Sequence, residues 1–184
     1  MKVMRTITIE NPAKFNICDC IMVELPGETH TATAIQDGGD GMLFTLDQFL
    51  NEARPMNENG GTEGGYDASD MRKFLQGLSE KFPAELRELM TPFENGDKLR
   101  LLTLPEVCGV DGDFNECEGQ IPYFKDRRNR IAERKGDNYE WMWAATVVSG
   151  AYFAYVNRNG IANHDSASLS LGVRPVFKLR NKKL

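Results

Sequence analysis

The 184-residue chain has only two histidines and four cysteines, and that scarcity excludes much metal chemistry. His30 and His164 are too few for a three-histidine centre. Cys18 and Cys20 form a C-x-C pair, Cys108 and Cys117 lie far downstream, and no C-x-x-C occurs. Neither histidine is near a cysteine in sequence, so the paired spacing of a zinc finger or ribbon is missing. No metal or other cofactor is expected. Long apolar runs are also missing, which excludes a membrane-spanning helix and, with it, a membrane partner. Residues 1–9, MKVMRTITI, lack the apolar stretch and small-residue cleavage site of a secretory leader. The expectations that follow are free thiols and a cytoplasmic location. Positive charge is not in excess either. The chain carries 22 Lys+Arg against 27 Asp+Glu, with pI ≈ 5.2, which speaks against a nucleic-acid backbone as partner.

What is present reads as one soluble globular domain over residues 1–184, with 41 % hydrophobic and 27 % charged residues. Strand-like segments occupy residues 1–45, a helical part 46–95, and a second β part 98–180. Ile7 and Ile9 alternate with threonines, and Ile21–Leu25, Thr31–Ile35 and Met42–Phe44 are further strand signals. Thr45-Leu46-Asp47-Gln48 has the spacing of a capping box and predicts a short helix through Phe49 and Leu50. Ser69 is placed to cap a helix over Asp70–Phe82, whose Met71, Phe74, Leu75 and Leu78 form one apolar stripe. Pro83 is suited to the first turn of a second helix carrying Leu86, Leu89 and Met90. Capping-box spacings recur at Thr91–Glu94 and Thr103–Glu106, with Leu99–Leu104 between them reading as a strand. Trp141–Val148, Ala151–Val156 and Leu171–Leu179 complete the strands. Asn157-Arg158-Asn159-Gly160 is a hairpin turn, and Pro175 argues that the last strand lies at an edge or a bulge.

Charge is segregated along the chain. Residues 36–70 carry eight acids against Arg54, whereas residues 123–135 carry six bases against Asp126 and Glu133. The basic segment is either solvated surface or a face for an acidic ligand. Asp111, Asp113 and Asn115 have the first spacings of a calcium loop. The required glycine is Glu116 and the required bidentate glutamate is Pro122, so that site is not expected. The Gly/Asn/Glu stretch 55–66 lacks the lysine and spacing of a phosphate loop.

The order of motifs resembles a family of bacterial and phage domains of unknown function allied to the C-type lectin-like and formylglycine-generating-enzyme-like fold. The motifs that carry the resemblance are Gly64-Gly65-Tyr66, Ser69-Asp70-Met71-Arg72, Phe74-Leu75 with Gly77, and Leu102–Val107. They continue with Trp141–Thr146, Val156 with Gly160, and Gly172-Val173-Arg174-Pro175-Val176. Ala145 stands where the family pattern has an arginine. The resemblance implies an α+β fold of short antiparallel strands with two main helices. It also implies one of three functions: display of a surface to a glycan or protein, thiol oxidation by a cysteine pair with copper, or a structural module of a phage or cell-surface assembly. The calcium motifs of C-type lectins are absent. Cys108 and Cys117 do not occupy the C-terminal position of the oxidase pair, so non-catalytic recognition is the preferred reading. On that reading the display surface is drawn from Trp141, Trp143, Tyr152, Tyr155, Asn157, Asn159, His164, Asp165 and Ser166. Tyrosine and tryptophan offer broad contact at low entropy cost, and asparagine and serine offer adaptable hydrogen bonds. Against this, at least one tryptophan is expected in the core and Asn157 and Asn159 in the turn. Arg174 is expected in an internal ion pair.

Overall fold

Successive hairpins open the part of the chain that the computed structural model describes, residues 15–134 and 140–180; the strand expected around Ile7 and Ile9 lies outside those residues. Strand β1 (Cys20–Leu25) pairs antiparallel with β2 (Glu28–Asp37), which pairs with β3 (Met42–Leu46). A register shift between Ala34 and Gln36 bends the second hairpin. The last strand of the chain, β8 (Val176–Leu179), returns to pair with β3, and the two-residue β4 (Met90–Thr91) covers its other edge. The resulting order is β1-β2-β3-β8-β4, so both ends of the described chain lie in one sheet.

Every residue of β3 is buried because both faces of the sheet are covered. On one face Phe44 stacks on Phe177, its register partner, with ring centroids 5.7 Å apart. Against them pack α1 (Asp70–Ser79), through Met71, Leu75 and Leu78, and α2 (Ala84–Leu89), through Leu86. On the opposite face Ile35, Leu43 and Val176 meet Leu104 and Val107 of α3 (Leu104–Cys108) and Phe124. A second sheet of three antiparallel strands, β5 (Met142–Ser149), β6 (Tyr152–Val156) and β7 (Ala162–Ser166), shares both cores. Its Trp143, Phe153 and Tyr155 join the first cluster, and Met142, Ala144, Ala154 and Val156 join the second. The architecture is α+β.

The segment Gly172–Pro175 joins the sheets. Gly172 donates its N–H to Trp141 and accepts from Trp143, while Val173 O accepts from Leu50. No side chain fits at Gly172, where an added Cβ would lie 2.7 Å from the Phe49 ring. Arg174 is buried as an internal residue, but within the described residues its hydrogen bonds end on main-chain carbonyls rather than in the expected carboxylate pair. Its Nε–H donates to Leu46 O at 2.6 Å and its Nη1–H to Asn129 O at 2.9 Å. Pro175 precedes β8 rather than interrupting it, and β8 lies between β3 and β4, not at an edge.

Several local expectations gave way to tertiary bonds. Thr45–Leu50 forms no helix, because Thr45 and Leu46 belong to β3 and the following N–H groups are committed elsewhere. Asp47 donates to Thr31 O, Phe49 to Glu133 O and Leu50 to Val173 O. Thr91–Glu94 also starts no helix; Thr91 pairs with Lys178 and Phe93 N–H donates to Asp97 O. The Leu99–Leu104 strand reduces to one bridge, Arg100 with Val176. The first helix stops at Ser79, three residues earlier than its periodicity suggests. The box at Thr103 is real: Thr103 accepts from Glu106 N–H, and the Glu106 carboxylate accepts Thr103 N–H at 2.8 Å. Ser69 caps α1 as expected.

Candidate functional site

The strand β6 separates the sequence-derived display residues onto two faces. Successive side chains of a strand point to opposite faces. Tyr155 and its partners Trp143 and Asn163 therefore lie on one face, and Ala154 with His164 on the other. Tyr152 shares the face of His164. It is 41 % exposed, and its ring centroid is 5.2 Å from that imidazole, which also lies 5.7 Å from the Phe114 ring.

On the opposite face Trp143 is only 1 % exposed, and its indole N–H donates to Arg54 O at 2.8 Å. It is a core residue, not part of the display surface. Tyr155 is 4 % exposed and supports the surface from beneath. Burial, and then the nearby Asp165 carboxylate, push its phenol pKa up, so the ring is neutral. Trp141 lies flat on Tyr155, with centroids 4.8 Å apart and planes 10° from parallel, and remains 37 % exposed. It forms one wall of a cleft of about 490 Å³ whose other walls are Ala53, Ser170, Leu171, Arg158 and the Arg134–Glu140 ion pair.

The remaining candidates serve the backbone. Asn157 Oδ1 accepts from the N–H groups of Asn159 and Ile161, closing the turn. Asn159 contributes its N–H to that turn and lies on the rim of a neighbouring cleft. Asp165 Oδ1 accepts from Ser166 N–H, and the Ser166 and Ser168 hydroxyls are 3.0 Å apart. Of the sequence-derived residues, Trp141 and Tyr155 are brought together as a platform, and Tyr152 and His164 as a separate aromatic pair.

Sequence reasoning missed a second cleft of about 530 Å³ between Gly64–Asp67, Asn95, Arg100, Leu101, Thr103, Glu106 and Ala145. Its Arg100 is matched by Glu106, and Asn95 on its wall joins the Arg72–Asp97 pair. Arg72 meets Asp97 at 2.6 Å, with Gln76 and Asn95 also donating to that carboxylate, and Arg100 grips Glu106 through two N–H groups at 2.6 and 2.8 Å. Tyr66 accepts Leu101 N–H, and its burial raises the phenol pKa. Burial alone raises Asp97 and Glu106. The bonds from Arg72 and Gln76, and from Arg100, outweigh it and hold both carboxyls below their ordinary values. Groups with lowered native values stabilise the fold fully above their unfolded pKa, about 4, and lose that contribution as pH falls through the native values. Acid unfolding is therefore expected below about pH 4. Asp97→Asn is expected to cost about 2 kcal/mol at pH 7 and to flatten the acid limb, as measured by urea unfolding at several pH values. An unchanged limb would remove Asp97 from the account.

The four thiols are unpaired. Cys18 is exposed and Cys20 buried, while Cys108 and Cys117 are half-buried. Burial raises the Cys108 thiol pKa against the opposing influence of Arg130, which keeps it protonated at neutral pH. Asp111 Oδ1 accepts from the N–H groups of Asp113 and Asn115. Among the described residues no helix is long and apolar enough to cross a membrane. The sequence profile of the family described as Domain of unknown function (DUF6273) matches residues 40–181, and the chain belongs to that family. No curated protein and no solved structure matches the chain.

Proposed function

We propose that this member of the DUF6273 family is a non-catalytic recognition domain of C-type lectin-like kind whose ligand, a glycan or a protein surface, is gripped at Trp141. The observation that carries the reading is the exposed indole held flat on Tyr155 at the wall of an open cleft. An aromatic ring fixed in orientation stacks on an apolar sugar face or a side chain without paying for its own ordering. The lectin-like part of the proposal rests on the order of motifs from Gly64 to Val176. In the second cleft Arg100 is matched by Glu106, which suits a structural role better than ligand capture.

A glycan array tests this reading with wild type, Trp141→Ala and Tyr152→Ala. Wild type is expected to bind a restricted set of glycans. Trp141→Ala is expected to lose about tenfold or more of that binding, while Tyr152→Ala, on the other face, retains it. Equal binding by wild type and Trp141→Ala, or loss confined to Tyr152→Ala, would refute the assignment.

A further inference from the structure

The cleft beside Trp141 shares Arg158 with a second one of about 450 Å³, walled by Arg127, Arg128, Ile131, Arg158, Asn159 and Ile161. The charges along this path differ in what they already hold. Arg134 is matched by Glu140 and Arg128 by Asp126, and Arg130 donates to the carbonyls of Phe124 and Gly160. Arg127 and Arg158 are exposed, and among the described residues neither forms an ion pair.

The fold also fixes where these two arginines stand. Arg158 sits in the β6–β7 turn, closed by the Gly160 N–H to Asn157 O bond at 2.8 Å and by the two N–H groups that Asn157 Oδ1 accepts. That turn is docked on the single helical turn Arg127–Arg130. Gly160 has φ +72°, and a Cβ there would meet Arg127 O at 2.8 Å, so only glycine permits the approach. Two arginines with no carboxylate partner among the described residues thus line one cleft whose apolar walls are Ile131 and Ile161. The chain as a whole is acidic, with net charge −5, so a long polyanion is not attracted by the general field. An anion would be held by this local geometry.

We infer that Arg158 and Arg127 form an anion subsite of the Trp141 surface, making the ligand an acidic sugar chain. One ring stacks on Trp141 while a carboxylate or sulfate group on a neighbouring ring is held by the two guanidinium groups. A planar guanidinium presents paired N–H donors matched to either oxyanion. The inference rests on the recognition reading above and narrows it to one ligand class.

The test is calorimetric titration at 0.15 M salt with three probes: a heparin oligosaccharide for sulfate, an oligogalacturonate for carboxylate, and a neutral cello-oligosaccharide of equal length. Wild type, Trp141→Ala and Arg158→Gln are compared after melting curves establish that all are folded. At least one acidic probe is expected to bind wild type more tightly than the neutral one, and Arg158→Gln is expected to weaken it about tenfold. The acidic probe that binds names the anion. If binding depends on Trp141 but is equal for acidic and neutral probes and unchanged in Arg158→Gln, the anion subsite is wrong and the recognition reading stands. If wild type binds none of the probes, the acidic-sugar inference falls; if a protein ligand is then captured through Trp141, recognition survives without it.

Discussion

Replacing Arg174 with methionine is expected to destabilise the fold by about 3 kcal/mol, lowering the melting temperature by roughly 10 °C. The side chain is 3 % exposed, and its two described hydrogen bonds end on the main-chain carbonyls of Leu46 and Asn129. Leu46 ends β3, and Asn129 lies in the Arg127–Arg130 turn, so the guanidinium ties the five-stranded sheet to the basic segment. Burial lowers the Arg174 pKa, while Tyr123 and Asp47 favour its charged form. Methionine matches much of the volume but leaves the Asn129 carbonyl without this donor. Lysine keeps the charge on a compact ammonium that cannot present the same planar fork, and Arg174→Lys is expected to lose most of the same stability. Differential scanning calorimetry decides the matter; a methionine variant melting with wild type would show that the guanidinium does not join the two parts.

The two tryptophans are expected to respond in opposite ways. Trp143→Ala should cost about 4 kcal/mol, because it opens a cavity among Phe153, Tyr155 and the rest of the first core and removes one of the two N–H groups that Arg54 O accepts, the other being that of Leu171. Trp141→Ala removes a side chain already 37 % exposed and should cost about 1 kcal/mol or less. Its effect belongs to binding. Urea unfolding of the two variants beside wild type measures the contrast. Comparable losses would mean that Trp141 is as structural as Trp143.

Sequence periodicity resolved some of this arrangement and was blind to the rest for physical reasons. β1, β2, β5 and β6 are legible because their β-branched and aromatic residues cluster between turn residues, and α1 because its stripe and Ser69 cap are both local. The threonine boxes show where local signals stop deciding. Thr45 and Thr103 share one spacing. Thr45, however, stands between two strands that claim its segment, whereas Thr103 lies in no strand, so it and Glu106 cap each other while the Leu104 N–H donates to the Thr146 hydroxyl. Tyr152 and Tyr155 are three residues apart in one strand, so their separation onto opposite faces was implicit in the period of two. Trp141 and Trp143 share a face, and alternation carries no information on depth. Trp141 precedes β5 at the open end of the sheet, and that end is defined by Ser170, Leu171 and Arg158 from other parts of the chain.

The electrostatic asymmetry also acquires a location. The basic segment 123–135 is not a uniform solvated face. Arg130 is spent on carbonyls, Arg128 and Arg134 on carboxylates, and Arg127 lines one cleft with Arg158, 31 residues further along the chain. The acids of residues 36–70 are likewise divided: Asp40 pairs with Lys178, Asp70 with Lys73, and Asp67 approaches Arg72 at 3.8 Å. Among the described residues, Arg158 of the Trp141 cleft and Arg127 of the cleft beside it enter no ion pair.

The most direct test of the central claim uses the chain's two indole N–H groups, which give two cross-peaks in a ¹H–¹⁵N correlation spectrum. The spectrum of Trp141→Ala assigns them. On titration with the oligosaccharide that binds most strongly on the array, the Trp141 signal is predicted to move while that of Trp143, bonded to Arg54 O, stays in place. A Trp141 signal unmoved at saturating oligosaccharide would contradict the account.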